Sequence, residues 1–388
     1  MSDVVFDADA MMASAAAFAG LDDYGDQHFI TGLKRLIETY DHYVVEEFGR
    51  QKIYNRVLKL LAARLRITAA QKKHPEIAKE TITRPMVLTG LPRTGTSALF
   101  NLMANDPASR ALLQWETHYP DPIDGLGADE MDPRRRKLID KIEAQRAANP
   151  EFDTIHFASA DTPEECVLLH ALDFNGVQLG FECMLEPYLG FHQQSDLLPV
   201  YEYYKSLLQM LQWREPGERW LLKAPAHMWG LDALTAVMPD VCILWGHRNP
   251  LQVIPSISSL TSLASKMYAG NVPALAPEKL GPIVMEFYAR SLERGIALRE
   301  KMDKKYFFDY RFKDFVDQPM RLLQDCYDYF DIDMSEDVRN KLQAHIDANP
   351  KGKHGKHEYN YEKFGLSEQI ILDRFAFYIN DDRYSDYL

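Results

Sequence analysis

Residues 86–103 admit few folds. An apolar run, Met86-Val87-Leu88-Thr89, leads into Gly90-Leu91-Pro92-Arg93-Thr94-Gly95-Thr96-Ser97 and then into Ala98-Leu99-Phe100-Asn101-Leu102-Met103. The first run predicts a buried strand and the last a helix, with a glycine loop between them. Strand, loop and helix start together point backbone N–H groups and the positive end of a helix dipole at one spot, which suits a phosphate. The common nucleotide triphosphatase loop ends G-K-[ST], with the lysine reaching the outer phosphates. Here Thr96 stands in the lysine position, and the only cation of the loop is Arg93. Such a loop can cradle a phosphate but is poorly equipped for Mg-ATP.

The same alternation continues downstream. Arg219-Trp220-Leu221-Leu222-Lys223 predicts a second buried strand, Met228 to Val237 a helix, and Val241-Cys242-Ile243-Leu244-Trp245 a third strand. Pro250 suits the first turn of the helix that follows. Tyr306 to Tyr310 reads as a short strand before a helix from Pro319 to Phe330. Strand–helix repetition implies an α/β fold: a parallel sheet flanked by helices, joined by right-handed crossovers. Ligands of such sheets bind at the carboxyl ends of the strands. Arg93, Lys223 and Arg248 all fall there.

Around this core the sequence predicts helices. Residues 1–80 form a helical cap, with Leu33, Leu36, Ile37, Tyr40 and Val44 at helical spacing and Ile53, Val57, Leu60, Leu61 and Leu65 likewise. The α/β domain then spans 81–388. Its insertion, about 106–218, carries no clear sheet pattern and reads as the substrate lid, with helices at 131–148 and 202–213.

Composition excludes several classes. With 44 Lys+Arg against 57 Asp+Glu the chain carries −13, which argues against a nucleic-acid binder. Cys166, Cys183, Cys242 and Cys326 form no CxxC pair and read as buried thiols of a reducing compartment. No metal site is expected. The acidic start lacks the basic residues of a signal peptide, and no run reaches about 18 apolar residues. The expectation is a cytoplasmic protein without a transmembrane segment; peripheral contact with a membrane and homo-oligomerisation stay open.

Three motifs in order resemble the sulfotransferases that use 3′-phosphoadenosine 5′-phosphosulfate (PAPS). The family's 5′-phosphosulfate loop, P-[KR]-x-G-[ST]-[ST], matches Pro92-Arg93-Thr94-Gly95-Thr96-Ser97. Its 3′-phosphate site, an arginine at a strand end with a serine eight residues on, matches Arg248 and Ser256. Leu222-Lys223-Ala224-Pro225 is similar to the L-K-x-P segment of tyrosylprotein and bacterial members. The resemblance covers about 83–365. It implies PAPS as cofactor, giving the bisphosphate product PAP, and no metal. Arg93, Thr94, Gly95, Thr96 and Ser97 would hold its 5′ end and Arg248 and Ser256 its 3′-phosphate. Arg93 and Lys223 would offset charge in a loose, in-line transfer.

The general base is open among three residues. Glu116 lies 23 residues after Arg93, a distance comparable to that of the catalytic glutamate in tyrosylprotein and several bacterial members. His227, four residues after Lys223, and His118 are rivals. The family also closes a basic, glycine-rich segment over the cofactor from the region of Lys351 to His357, which makes Lys353, Gly355 and Lys356 candidates. Phe312 stands where the family often has tyrosine, and the cytosolic branch's terminal W-K is absent; both point to the bacterial-type branch. The acceptor would be a hydroxyl on a small or lipid-like molecule, since residues 181–213 are rich in apolar and aromatic side chains. Two other classes stay in view: a P-loop kinase or NTPase with an irregular loop, and a non-catalytic nucleotide-binding protein on the same fold.

Overall fold

The computed structural model describes residues 5–123, 130–148, 159–177, 179, 184–349 and 360–387. Its centre is a five-stranded sheet: β1 (Met86–Gly90), β2 (Ser109–Ala111), β3 (Arg219–Lys223), β4 (Cys242–His247) and β5 (Phe307–Arg311). The order is β2-β3-β1-β4-β5, and every pairing is parallel. β1 is buried along its whole length because β3 and β4 flank it and helices cover both faces, which is why it reads as an unbroken apolar run. Its alternate side chains enter two cores. Val87 joins Leu222, Ile243 and Trp245 on one face. Met86 and Leu88 join Leu221, Leu244 and Leu323 on the other.

From β1 the chain runs out to β2 and returns through β3, then crosses to β4 and β5 on the other side. β1 is therefore where the winding reverses, and the crevice above its carboxyl end is the natural ligand position. The sequence reading missed β2. The stretch 106–218 does hold a strand, paired Ser109 with Arg219 through Ala111 with Leu221. Three residues are too few to show a period.

Helices α1 (Ala8–Ala19), α2 (Phe29–Tyr43) and α3 (Glu47–Lys73) precede the sheet. Asp7 caps α1 by accepting from the Ala10 N–H at 2.7 Å, and Gly20 ends it at φ 66°. Leu33, Leu36, Ile37 and Tyr40 are buried as their spacing predicts and belong to the same core as one sheet face. Arg64 of α3 is buried between the rings of Phe29 and Tyr203. It donates to the carbonyls of Tyr24, Asp26 and Leu172, so the first helices are tied to the insertion by one satisfied guanidinium.

The insertion is mostly helical among the described residues. It contains α4 (Gln114–His118), α5 (Pro133–Ala148), α6 (Val167–His170), α7 (Tyr188–Gln194) and α8 (Leu198–Arg214). On α8, Tyr201, Tyr204, Leu207, Leu208 and Leu211 are core side chains. The apolar content that suggested a greasy acceptor is thus, on that helix, packing. Cys166, Cys242 and Cys326 are buried free thiols; Cys183 lies outside the described residues. No helix among the described residues is long and apolar enough to cross a membrane.

Candidate active site

The loop after β1 is shaped by backbone rather than by side chains. Gly90 takes φ 116°, and a Cβ there would meet the Gly246 carbonyl oxygen at 2.4 Å. β1 and β4 can approach this closely only without a side chain. Arg93 takes φ 65° and Gly95 φ 79°. A non-glycine residue in the left-handed region costs energy and is found where function demands it. Thr94 is buried, its hydroxyl donating to the Leu91 carbonyl at 2.8 Å. The following helix, α9 (Thr96–Met103), starts directly from Gly95 with no side-chain cap. Its first N–H groups therefore face the loop's concavity, as an anion site requires.

Three cationic side chains converge on this loop. Arg93 is exposed, and its Nε donates to Ser256 Oγ at 3.0 Å. Ser256 lies on α10 (Pro250–Ala269), capped by the Asn249 side chain. Arg248, between β4 and that helix, donates from Nη1 to the Arg93 carbonyl at 2.6 Å and from Nε to Gln252 at 2.9 Å. Its guanidinium lies 4.0 Å from the centroid of the Phe312 ring. The phenylalanine thus keeps the stacking that the family's tyrosine would offer. Phe312 and Phe315 also cover Gly95, where a Cβ would come within 2.9 Å and 3.1 Å of their rings. The third cation, Lys223 at the end of β3, is buried. Its ammonium donates to Ser97 Oγ at 2.9 Å and lies 2.6 Å from Glu165 Oε1.

Arg93, Lys223, Arg248, Ser97 and Ser256 are therefore brought together around the loop. The base candidates are not. Glu116 is buried and both its oxygens are engaged. Arg110 donates to Oε1 at 2.5 Å, and the Leu113 N–H donates to Oε2 at 2.9 Å, closing the N-terminus of α4. With both oxygens engaged and 1% of its side chain exposed, Glu116 presents no open oxygen to a substrate. The guanidinium that holds it is itself pressed on Trp220 at 4.1 Å. In this structure Glu116 holds Arg110 and closes the N-terminus of α4.

His227 has no solvent exposure. Its Nδ1 pairs with the Tyr201 hydroxyl at 2.8 Å, and burial lowers its pKa to about 3. It packs against Tyr201, Tyr204 and His170. His118 donates from Nδ1 to the Gln114 carbonyl within α4, and no contact among the described residues joins it to Arg93 or Lys223. Lys353, Gly355 and Lys356 lie outside the described residues.

The carboxylates at the site are Glu164 and Glu165, which sequence reasoning missed. They sit on a turn held across the strand ends. The Gln114 N–H donates to the Thr162 carbonyl, the Glu164 N–H to Leu112 and the Cys166 N–H to the last residue of β3, Lys223. Burial, helped by the neighbouring Glu165 charge, raises the pKa of Glu164. The signal available was the run Pro163-Glu164-Glu165-Cys166, two adjacent carboxylates directly before the apolar run Val167-Leu168-Leu169. Among the described residues no group of three or more metal-ligating side chains converges.

A phosphate loop without its lysine, a paired arginine and serine at the neighbouring strand end, and a strand-end lysine define a recognisable set. Residues 85–336 match the model of the sulfotransferase family. The chain belongs to the sulfotransferase family. Sulfotransferase STF9 from Mycobacterium avium superposes with a TM-score of 0.89 at 27% identity, over 98% of this chain and 97% of that one. Sulfotransferase STF1 from Mycobacterium tuberculosis H37Rv gives 0.85 at 29% identity, over 97% of this chain and 100% of that one. No curated protein sequence matches. This sulfotransferase is therefore an enzyme of sulfuryl transfer, of the bacterial type that its departures from the cytosolic pattern suggest.

Proposed function

We propose that the enzyme transfers a sulfuryl group from PAPS to the hydroxyl of a small-molecule or lipid-like acceptor. The observation that carries this reading is the hydrogen bond from Arg248 to the Arg93 carbonyl, with Ser256 bonded to the Arg93 side chain. It makes one unit of two anion sites, as a ligand phosphorylated at both ends of its ribose requires. The N–H groups of Thr94 to Ser97 suit the 5′ end, and the fork of Arg248 with Ser256 suits the 3′-phosphate.

When bound, PAPS supplies an activated sulfuryl group as a mixed anhydride. The protein's part is orientation and charge. Lys223 and Arg93 offset the negative charge that grows on the leaving oxygen as the S–O bond breaks. Glu165 touches Lys223 and is partly open to solvent, with 29% of its side chain exposed; it takes the proton as the acceptor oxygen bonds to sulfur. Buried Phe100 lies beside Lys223, its centroid 5.6 Å from Nζ, and helps keep water from the ammonium.

Calorimetric titration with 3′-phosphoadenosine 5′-phosphate and with ATP, each with and without Mg²⁺, tests the donor. The expected result is metal-independent binding of the bisphosphate, weakened tenfold or more by Arg248→Ala, a loss of at least about 1.4 kcal/mol. Preference for Mg-ATP would move the chain to the kinase class. Bisphosphate binding without transfer to any hydroxyl acceptor would make it a binding protein.

A further inference from the structure

Helix α10 carries an apolar ridge that is exposed among the described residues. Leu260, Leu263 and Met267 are exposed by 45%, 58% and 53%. They follow Ser256 at four, seven and eleven residues, so all four lie along one helix face. That face runs about 16 Å from the Ser256 hydroxyl, which accepts from Arg93, to Met267. Helix α3 extends it. Gly49 lies against the Ala269 carbonyl, so close that a Cβ would fall 2.3 Å from it. Lys52 donates to the Met267 carbonyl at 2.9 Å, and its ammonium lies over the ring of Phe48, itself 63% exposed.

The charge around this ridge opposes that of the molecule. The chain carries −13, yet α3 holds eight Lys and Arg against Glu47 alone, and α10 holds Lys266 and no acid. Part of that charge is neutralised internally, since Arg64 is buried and Arg50, Arg66 and Lys72 pair with aspartates. Lys52, Lys59 and Lys266 are exposed and have no carboxylate partner among the described residues. Glu46, at the start of α3, points to the Asn271 N–H at 3.0 Å.

We infer that this ridge docks the enzyme on an anionic lipid surface. Exposed apolar side chains beside lysines without a carboxylate partner are the pattern of an interfacial helix: the apolar groups enter the headgroup boundary and the ammonium groups meet anionic lipids. A symmetric contact with a second copy would set lysine against lysine, which disfavours that occupant. The inference touches the proposed function only in that the ridge starts at Ser256, which that reading gives to the donor's 3′-phosphate.

The test is flotation of the full-length protein with vesicles of phosphatidylglycerol or of phosphatidylcholine. Wild type should float with phosphatidylglycerol, not with phosphatidylcholine, and release at high salt. Leu263→Glu with Met267→Glu, and separately Lys52→Glu with Lys266→Glu, should each lower the bound fraction about tenfold or more. Titration of the same variants with 3′-phosphoadenosine 5′-phosphate should give wild-type affinity, which separates loss of docking from loss of the cofactor site. Failure of the folded wild type to float with phosphatidylglycerol would overturn the inference. So would flotation unchanged in both variants, or a wild-type dimer in sedimentation that Leu263→Glu with Met267→Glu dissolves.

Discussion

The ammonium of Lys223 lies 2.6 Å from the carboxylate of Glu165, across the ends of two segments that are far apart in sequence. The lysine closes β3, and the glutamate belongs to a turn held by backbone bonds to residues 112 and 114 and to Lys223 itself. The pair places a proton acceptor beside the cation that faces the loop, so the charge taken up and the charge offset lie within one contact.

If Glu165 takes the acceptor proton, Glu165→Gln should lower kcat by roughly 10²–10⁴-fold, the usual weight of a general base. Affinity for 3′-phosphoadenosine 5′-phosphate should change only a few fold, because Lys223 keeps its bond to Ser97. Steady-state kinetics and calorimetry on the same preparation read both quantities. The parallel change Glu116→Gln should act mainly on stability, since it unpairs Arg110. Full transfer by Glu165→Gln would exclude Glu165 as the base.

Glu164 gives a prediction of opposite sign to most core substitutions. Its pKa is raised by burial and by Glu165. A folded-state pKa above the unfolded one favours folding below the unfolded pKa and loses that contribution as pH rises through the folded value. Above the unfolded pKa a buried carboxyl of this kind is a burden, so Glu164→Gln should raise Tm at pH 7. The gain should shrink as the pH falls towards 4. Equal effects at both pH values would show that charge is not the cause.

The buried histidines His170, His192 and His227 work the other way. Burial lowers His227 to about 3 and His192 to about 4, and holds His170 well below its usual range. Their contribution is complete above the unfolded pKa near 6.5 and is lost as pH falls towards the folded values. Each can withdraw up to about 1.4 kcal/mol per pH unit in that window. Urea denaturation at pH 7 and pH 5 should show wild type losing more than His227→Gln, whose curve should be flatter. Parallel losses would remove His227 from the acid response.

What the sequence reveals here follows from burial. β1, β3 and β4 are enclosed on both faces, so each is a continuous apolar run, and the cations at their ends stand out. β2 has three residues and no pattern to offer. Glu116 drew notice through its distance from Arg93, but distance along the chain does not report direction. The local geometry of α4 turns it to Arg110 and its own helix end. Glu165 lies 72 residues after Arg93, and the pairing of its turn with residues 112–115 and with Lys223 brings it to the site. That pairing has no periodic signature.

The single bond from Arg248 to the Arg93 carbonyl has a consequence for selectivity. Arg93 is held in a left-handed backbone conformation, and its peptide oxygen is one of the few levers that can steady it. A nucleotide lacking one phosphate could fill half of the cleft, yet it would leave this linkage without its load at the other end. Discrimination between intact donor and common nucleotides would then appear in turnover as well as in occupancy. In a cell crowded with adenine nucleotides, the wrong molecule would come and go from a site that is complete only when both grips are taken.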